Sequence, residues 1–135
     1  MTESADPRET EAAGARLARG LASGDVVLVS GDLGSGKTTF VRGACRELGV
    51  AGPVTSPTFT IGTVLVGRDV EVAHLDLYRL ASLAGEDPAL LDDYLTPDRI
   101  AFVEWPDRAE GAPMRVAARV RLEHLGGDRR RITVG

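Results

Sequence analysis

The stretch Gly31 to Thr39, reading Gly-Asp-Leu-Gly-Ser-Gly-Lys-Thr-Thr, constrains this chain more than any other. It satisfies the pattern G-x-x-x-x-G-K-[ST] from Gly31 to Thr38, directly after the apolar run Val26 to Val29. Behind it Val41, Ala44, Cys45 and Leu48 recur at helical spacing. Strand, glycine loop and helix in that order form the context of a phosphate-binding loop. Backbone N–H groups of such a loop wrap a phosphate, and the N-terminus of the helix adds positive partial charge. Gly34, Ser35, Gly36, Lys37, Thr38 and Thr39 are therefore the expected phosphate contacts. Lys37 reaches towards the β- and γ-phosphates, and the Thr38 hydroxyl is placed to ligate Mg²⁺.

The 135 residues are the size of one domain, and a hydrophobic content of 43% is ordinary for a globular protein. The net charge of −4 gives no reason to expect sequence-independent nucleic-acid binding. No basic-plus-apolar leader and no apolar run of membrane-spanning length occurs, so the expected location is the cytoplasm. Cys45, the single cysteine, falls on the apolar side of the helix after the loop and reads as a buried thiol. Of sixteen basic residues fifteen are arginine, and the one lysine is Lys37. A compact ammonium suits that position better than a planar guanidinium.

Residues 1 to 5 read as a disordered start. Asp6, Pro7 and Glu9 then open a helix with an apolar stripe of Ala13, Leu17, Ala18 and Leu21, ended by Ser23-Gly24. Val26 to Val29 lacks alternation, as expected of a strand covered on both faces. Lys37 to Leu48 is the helix after the loop, closed by Gly49. After the irregular Gly52 to Thr58, residues 59 to 66 and 70 to 75 read as an antiparallel strand pair around Gly67-Arg68-Asp69. Residues 77 to 83 and 88 to 95 are expected as short helices, and Ile100 to Val103 as a second buried strand. The alternation from Val116 to Glu123, the Gly126-Gly127-Asp128 turn and residues 130 to 134 make a C-terminal hairpin. The expected architecture is one α/β P-loop domain over residues 1 to 135, with a mixed central sheet flanked by helices.

Hydrolysis needs more than the loop: an acid for the metal, a group that places water, and a contact that senses the γ-phosphate. Ligands lie beyond the carboxyl ends of such strands, where Glu104 follows one apolar run and Asp76 another. Glu104, behind the cleaner buried strand, takes the metal role, and Asp76 the water or the metal's outer shell. Thr58, in Ser56-Pro57-Thr58, occupies the place of a switch threonine. Arg79 either neutralises phosphate charge or forms a surface ion pair. His74 reads as a packed residue rather than a metal ligand, having no second ligand at suitable spacing. Trp105 covers a nucleotide, faces a partner or fills the core; these alternatives stay open. Guanine-specific P-loop proteins use an N/T-K-x-D segment, and without a second lysine ATP is the default.

Four stretches together resemble the TsaE family. They are Gly31 to Gly43, Ser-Pro-Thr-Phe-Thr at 56 to 60, His-Leu-Asp-Leu-Tyr-Arg-Leu at 74 to 80, and Val-Glu-Trp-Pro at 103 to 106. The resemblance runs from about Thr10 to Ile132. It implies a bacterial P-loop ATPase that supports N6-threonylcarbamoylation of adenosine 37 in tRNA, acting with TsaD and TsaB. The tRNA is expected as an indirect partner, and a direct contact through Arg119, Arg121 and Arg129 to Arg131 stays open. By that resemblance Lys37 holds phosphate, Thr38 and Glu104 ligate Mg²⁺, Thr58 is the switch threonine and Asp76 the catalytic carboxylate. Thr10 and Arg131 are the expected contacts to base or ribose, and Trp105 joins the nucleotide-binding set. Two departures concern the partner surface. The family's tyrosine beyond the Ser-Pro-Thr motif is absent, and Gly85 to Tyr94 is short and acidic. Two other readings remain: a small-molecule phosphotransferase, for which Arg129 to Arg131 would be the only visible lid, and an ATP-gated adaptor that does not hydrolyse.

Overall fold

A computed structural model describes residues 1–55, 61–78, 91–109 and 114–135. Its elements run β1 (Thr2–Ser4), α1 (Pro7–Ala18), β2 (Val26–Ser30), α2 (Lys37–Glu47), β3 (Gly62–Val66) and β4 (Glu71–Asp76). They continue with β5 (Arg99–Glu104), a 3₁₀ turn (Pro106–Ala109), β6 (Val116–Gly126) and β7 (Arg129–Val134). The strands form one sheet in the order β1-β7-β6-β2-β5-β4-β3. β2 is parallel to both β5 and β6, and β4 is parallel to β5. β3 is antiparallel at one edge, and β7 and β1 are antiparallel at the other. The mixed sheet is as expected.

The reasons are local. Asp6 caps α1 by accepting from the Glu9 amide at 2.9 Å, and Pro7 at the first helical position has no N–H to leave unpaired. β2 is buried from Val26 to Val29, which is why its sequence has no polar alternation. β6 does alternate: Ala118, Val120 and Leu122 are buried while Arg119 and Arg121 are exposed. One face of the sheet packs Val27, Val29, Phe102, Val120 and Leu122 against α1 and α2. The other gathers Leu28, Ala73, Leu75 and Val103 with Leu77 and Leu91.

The two helices approach closely through glycine. A Cβ on Gly14 would stand 2.1 Å from the Phe40 carbonyl oxygen, and one on Gly43 would stand 2.0 Å from that of Glu11. Both positions exclude any side chain, and the contact fixes α2, and with it the loop before it, against the sheet.

Three expectations need correction or limits. Residues 2 to 4 are not a disordered start: they form β1, paired with Arg130 to Ile132 of β7, and so complete the sheet edge. The first helix ends at Ala18, earlier than Ser23-Gly24, although Leu21 still packs on the core. Thr58, Arg79 and most of the two expected short helices lie outside the described residues. Among the described residues, no helix is long and apolar enough to cross a membrane.

Candidate active site

The loop from Gly31 to Gly36 joins the carboxyl end of β2 to the first residue of α2. Gly36 is the N-cap of α2, with φ 98°, and no side chain caps the helix there. The left-handed backbone needs glycine, which brings no capping oxygen of its own. Amides at such a helix start suit a phosphate as acceptor. A side chain at Gly34 would meet nothing within 4 Å, so the loop's outer rim is open. Ser35 is buried, and its Oγ has no hydrogen-bond partner. Thr39 is half-buried, one position into the helix beyond Thr38.

Lys37 is 6% exposed and folds back along the loop. Its Nζ donates to the carbonyls of Gly31 at 2.7 Å and Asp32 at 2.9 Å. The same ammonium lies 4.5 Å from the centre of the Trp105 ring, within cation–π range. Burial pushes its pKa below the ordinary lysine value, opposed by Glu104, Asp76 and Asp32. The buried ammonium is thus held by two backbone carbonyls and by the negative charge of the nearby acids.

Glu104 ends β5 and is 2% exposed. Thr38 Oγ1 is 3.1 Å from Glu104 Oε2 and 3.4 Å from Oε1. A hydroxyl and a carboxylate brought together beside a phosphate loop form a hard-oxygen set that suits Mg²⁺. Asp76 ends the neighbouring β4, opposite Glu104 in register. Its carboxylate accepts from the Tyr78 amide at 3.1 Å. Burial raises its pKa above the ordinary carboxylate value, against the lowering effect of that bond. Asp76 is thus a better proton acceptor than a free aspartate, which suits a group that places or activates water.

Trp105 follows Glu104 with φ 59°, a conformation disfavoured for a bulky residue. Its amide donates to the Val29 carbonyl at 3.3 Å, and its ring meets Tyr78 with centroids 5.0 Å apart. The strained backbone turns the ring back over Lys37 instead of onward along the chain.

The loop, Lys37, Thr38, Asp76, Glu104 and Trp105 therefore share one end of the sheet. Against this site a statistical description of one family, "Threonylcarbamoyl adenosine biosynthesis protein TsaE", matches residues 4–132. The chain belongs to the TsaE family.

Relatives bearing the TsaE name include one from Streptomyces coelicolor, 40% identical over 85% of this chain and 79% of its own length. One from Bacillus subtilis is 35% identical over 95% of this chain and 80% of its own. The fold matches the crystal structure of Bacillus subtilis YdiB with a TM-score of 0.78 at 30% identity, covering 98% of this chain and 82% of that one.

The remaining expected contacts of this TsaE chain divide. Thr10 is buried, its Oγ1 2.7 Å from Ser4 Oγ, and its methyl is 3.7 Å from where a Gly36 Cβ would stand. Arg131 does not reach the loop. Strand alternation turns it to the opposite face of β7, where it lies 3.9 Å from Glu123. Its neighbour Arg130 takes that place, donating from Nη2 to the Gly34 carbonyl at 3.0 Å. The sequence reading chooses Arg131, and only the position of Ile132 in the core fixes that Arg130 is the one facing α2. His74 was expected to be packed, and it is fully buried; unforeseen was its Nε2, 2.5 Å from Glu104 Oε2. The signal was present in the spacing. His74 and Asp76 are two apart on one strand and so share the face on which Glu104 lies.

Proposed function

We propose that this chain is a Mg²⁺-dependent ATPase of the cytoplasm that supports threonylcarbamoyladenosine formation in tRNA, working with TsaD and TsaB and reaching tRNA through them. The observation that carries the reading is the convergence of Thr38, Glu104 and Asp76 at the mouth of an uncapped phosphate loop. In it the loop amides and Lys37 bind the β- and γ-phosphates, and Lys37 exchanges two backbone carbonyls for phosphate oxygens. Thr38 and Glu104 hold Mg²⁺, which when bound draws negative charge from the phosphate oxygens. Asp76 accepts a proton from, or orients, the attacking water at the neighbouring strand end. Thr58 senses the γ-phosphate, as the resemblance in its motif suggests. Trp105 covers Lys37 and limits water at that side of the site.

The name of the matching family supports the tRNA-modification role. ATP is favoured as substrate because the guanine-reading lysine segment is missing. The decisive test measures phosphate release from ATP by the chain alone and with TsaD and TsaB in stoichiometric amounts. Stimulation by the two proteins is expected. Unchanged release in their presence would overturn the partner-dependent reading, and radiolabel from the γ-phosphate on any acceptor but water would overturn hydrolysis.

A further inference from the structure

We propose that His74 is a positioning residue for Glu104, gripping one carboxylate oxygen so that the group stays turned towards Thr38 and the metal. The inference rests on the assignment of Mg²⁺ to Thr38 and Glu104 made above.

His74 lies inside β4, is 0% exposed, and stands opposite Phe102 in register. Its strand neighbours Val72, Ala73 and Leu75 are all buried and apolar. An aliphatic side chain would fit such a position without polar cost. The imidazole instead brings two ring nitrogens into the core, and Nδ1 has no hydrogen-bond partner. Leaving a buried polar atom unpaired is unfavourable. What offsets that cost is the other nitrogen, 2.5 Å from Glu104 Oε2.

The chemistry fixes the direction of this bond. A carboxylate only accepts, so Nε2 carries the proton and donates. Nδ1 is then a bare lone pair, and no buried N–H is left without an acceptor. The Nε2–H tautomer is the arrangement with the fewest unsatisfied groups.

The grip matters because, among the described residues, the other side chain that meets the Glu104 carboxylate is that of Thr38, its Oγ1 at 3.1 and 3.4 Å from the two oxygens. Asp76 stands beside it on β4 and repels it electrostatically. The oxygen that His74 holds, Oε2, is also the one nearer Thr38 Oγ1, so the grip keeps the carboxylate turned to Thr38 and leaves Oε1 outside the imidazole bond. A carboxylate held in advance does not have to be ordered when a cation arrives, and loss of such outer contacts typically weakens metal binding by roughly 10- to 100-fold.

The test compares the unaltered chain with His74→Leu and His74→Gln by calorimetric titration of ATP at graded Mg²⁺ and in chelator. The expected result for His74→Leu is unchanged nucleotide binding in chelator but a Mg²⁺ requirement raised about 10- to 100-fold. Gln places an N–H at similar reach, so His74→Gln should recover most of the loss. A His74→Leu requirement within about twofold of the unaltered chain would overturn the proposal. So would a His74→Gln loss as large as that of His74→Leu. If the unaltered chain itself showed no Mg²⁺-dependent nucleotide binding, the metal assignment would fall, and the positioning role with it.

Should His74→Leu not fold, ¹⁵N spectroscopy of labelled histidine decides, since the chain has only two histidines. The Nε2–H tautomer at His74, with a resonance that moves on Glu104→Gln, is expected. An Nδ1–H tautomer would sink the idea.

Discussion

Thr38 and Glu104 are sixty-six residues apart in the chain, yet the Thr38 hydroxyl lies 3.1 Å from a Glu104 carboxylate oxygen. The first residue pair of α2 and the last residue of β5 meet there because β2 and β5 are adjacent and parallel. Both strands therefore present their carboxyl ends to the same edge. Replacing Glu104 with Gln keeps the shape and removes the charge. The expected outcome is nucleotide binding in chelator near that of the unaltered chain, with Mg²⁺ affinity of the complex reduced by at least about tenfold, or roughly 1.4 kcal/mol. Calorimetry with and without Mg²⁺ measures both.

Lys37 and Trp105 offer a direct optical report, since Trp105 is the chain's one tryptophan and lies over the ammonium. Phosphate binding that draws Nζ away from the ring should change tryptophan emission saturably. In Lys37→Ala both the emission change and most nucleotide affinity should be lost, the latter by on the order of 1.5–3 kcal/mol for a charged hydrogen-bonding group. An unaltered emission change in that variant would show that the ring reports something other than the lysine.

Asp76 should separate binding from turnover. Asp76→Ala is expected to bind ATP and to lose hydrolysis by roughly 10²- to 10⁴-fold, the range for a removed general base. The same site predicts a pH effect in the nucleotide-free, metal-free chain. Burial raises the Asp76 pKa, so the folded chain holds this proton more tightly than the unfolded one. Its ionisation therefore takes stability away as pH rises through the unfolded value of 3.8 towards the higher folded value. Asp76→Asn should be more stable than the unaltered chain at neutral pH, by less than about 1 kcal/mol because the group keeps some solvent. The gain should vanish below pH 3.8. Urea titrations at two pH values measure it, and a gain that persisted in acid would have another cause.

The contact between α1 and α2 should tolerate no added atom. Gly43→Ala drives a methyl to 2.0 Å from a backbone oxygen that has no rotamer with which to retreat. Loss of roughly 1–3 kcal/mol in urea unfolding is expected, as for other overpacked cores. Because α2 carries Lys37 and Thr38 at its start, nucleotide affinity should fall as well.

Cys45 should be silent in the folded state. It is fully buried among apolar side chains, and burial pushes its pKa up to about 12. A thiol reagent such as a disulfide dye should label it only after denaturation. Rapid labelling of the native chain would mean that α2 opens locally.

Much of this architecture is legible in residue order because it is set by short-range rules. The Asp6-Pro7 start of α1, the unbroken apolar run of β2, the glycine loop, and the alternation of β6 each follow from spacing and backbone preference. Lys37, Thr38, Asp76 and Glu104 could be picked out because a phosphate loop demands acids at strand ends, and strand ends can be counted. Other features depend on which strand lies beside which. Thr2–Ser4 becomes a strand only because β7 offers it an edge, something three polar residues cannot announce. Arg130 rather than Arg131 meets the loop because Ile132 anchors the register of β7 in the core, and a shift by one residue would exchange them. His74 bonds Glu104 through the parallel pairing of β4 with β5, a contact between residues thirty apart. By itself, then, the sequence determined the elements, the phosphate loop and the acids. The sheet order decided which side chains meet, since pairing between distant strands is settled by the packing of the whole core and not by any segment alone.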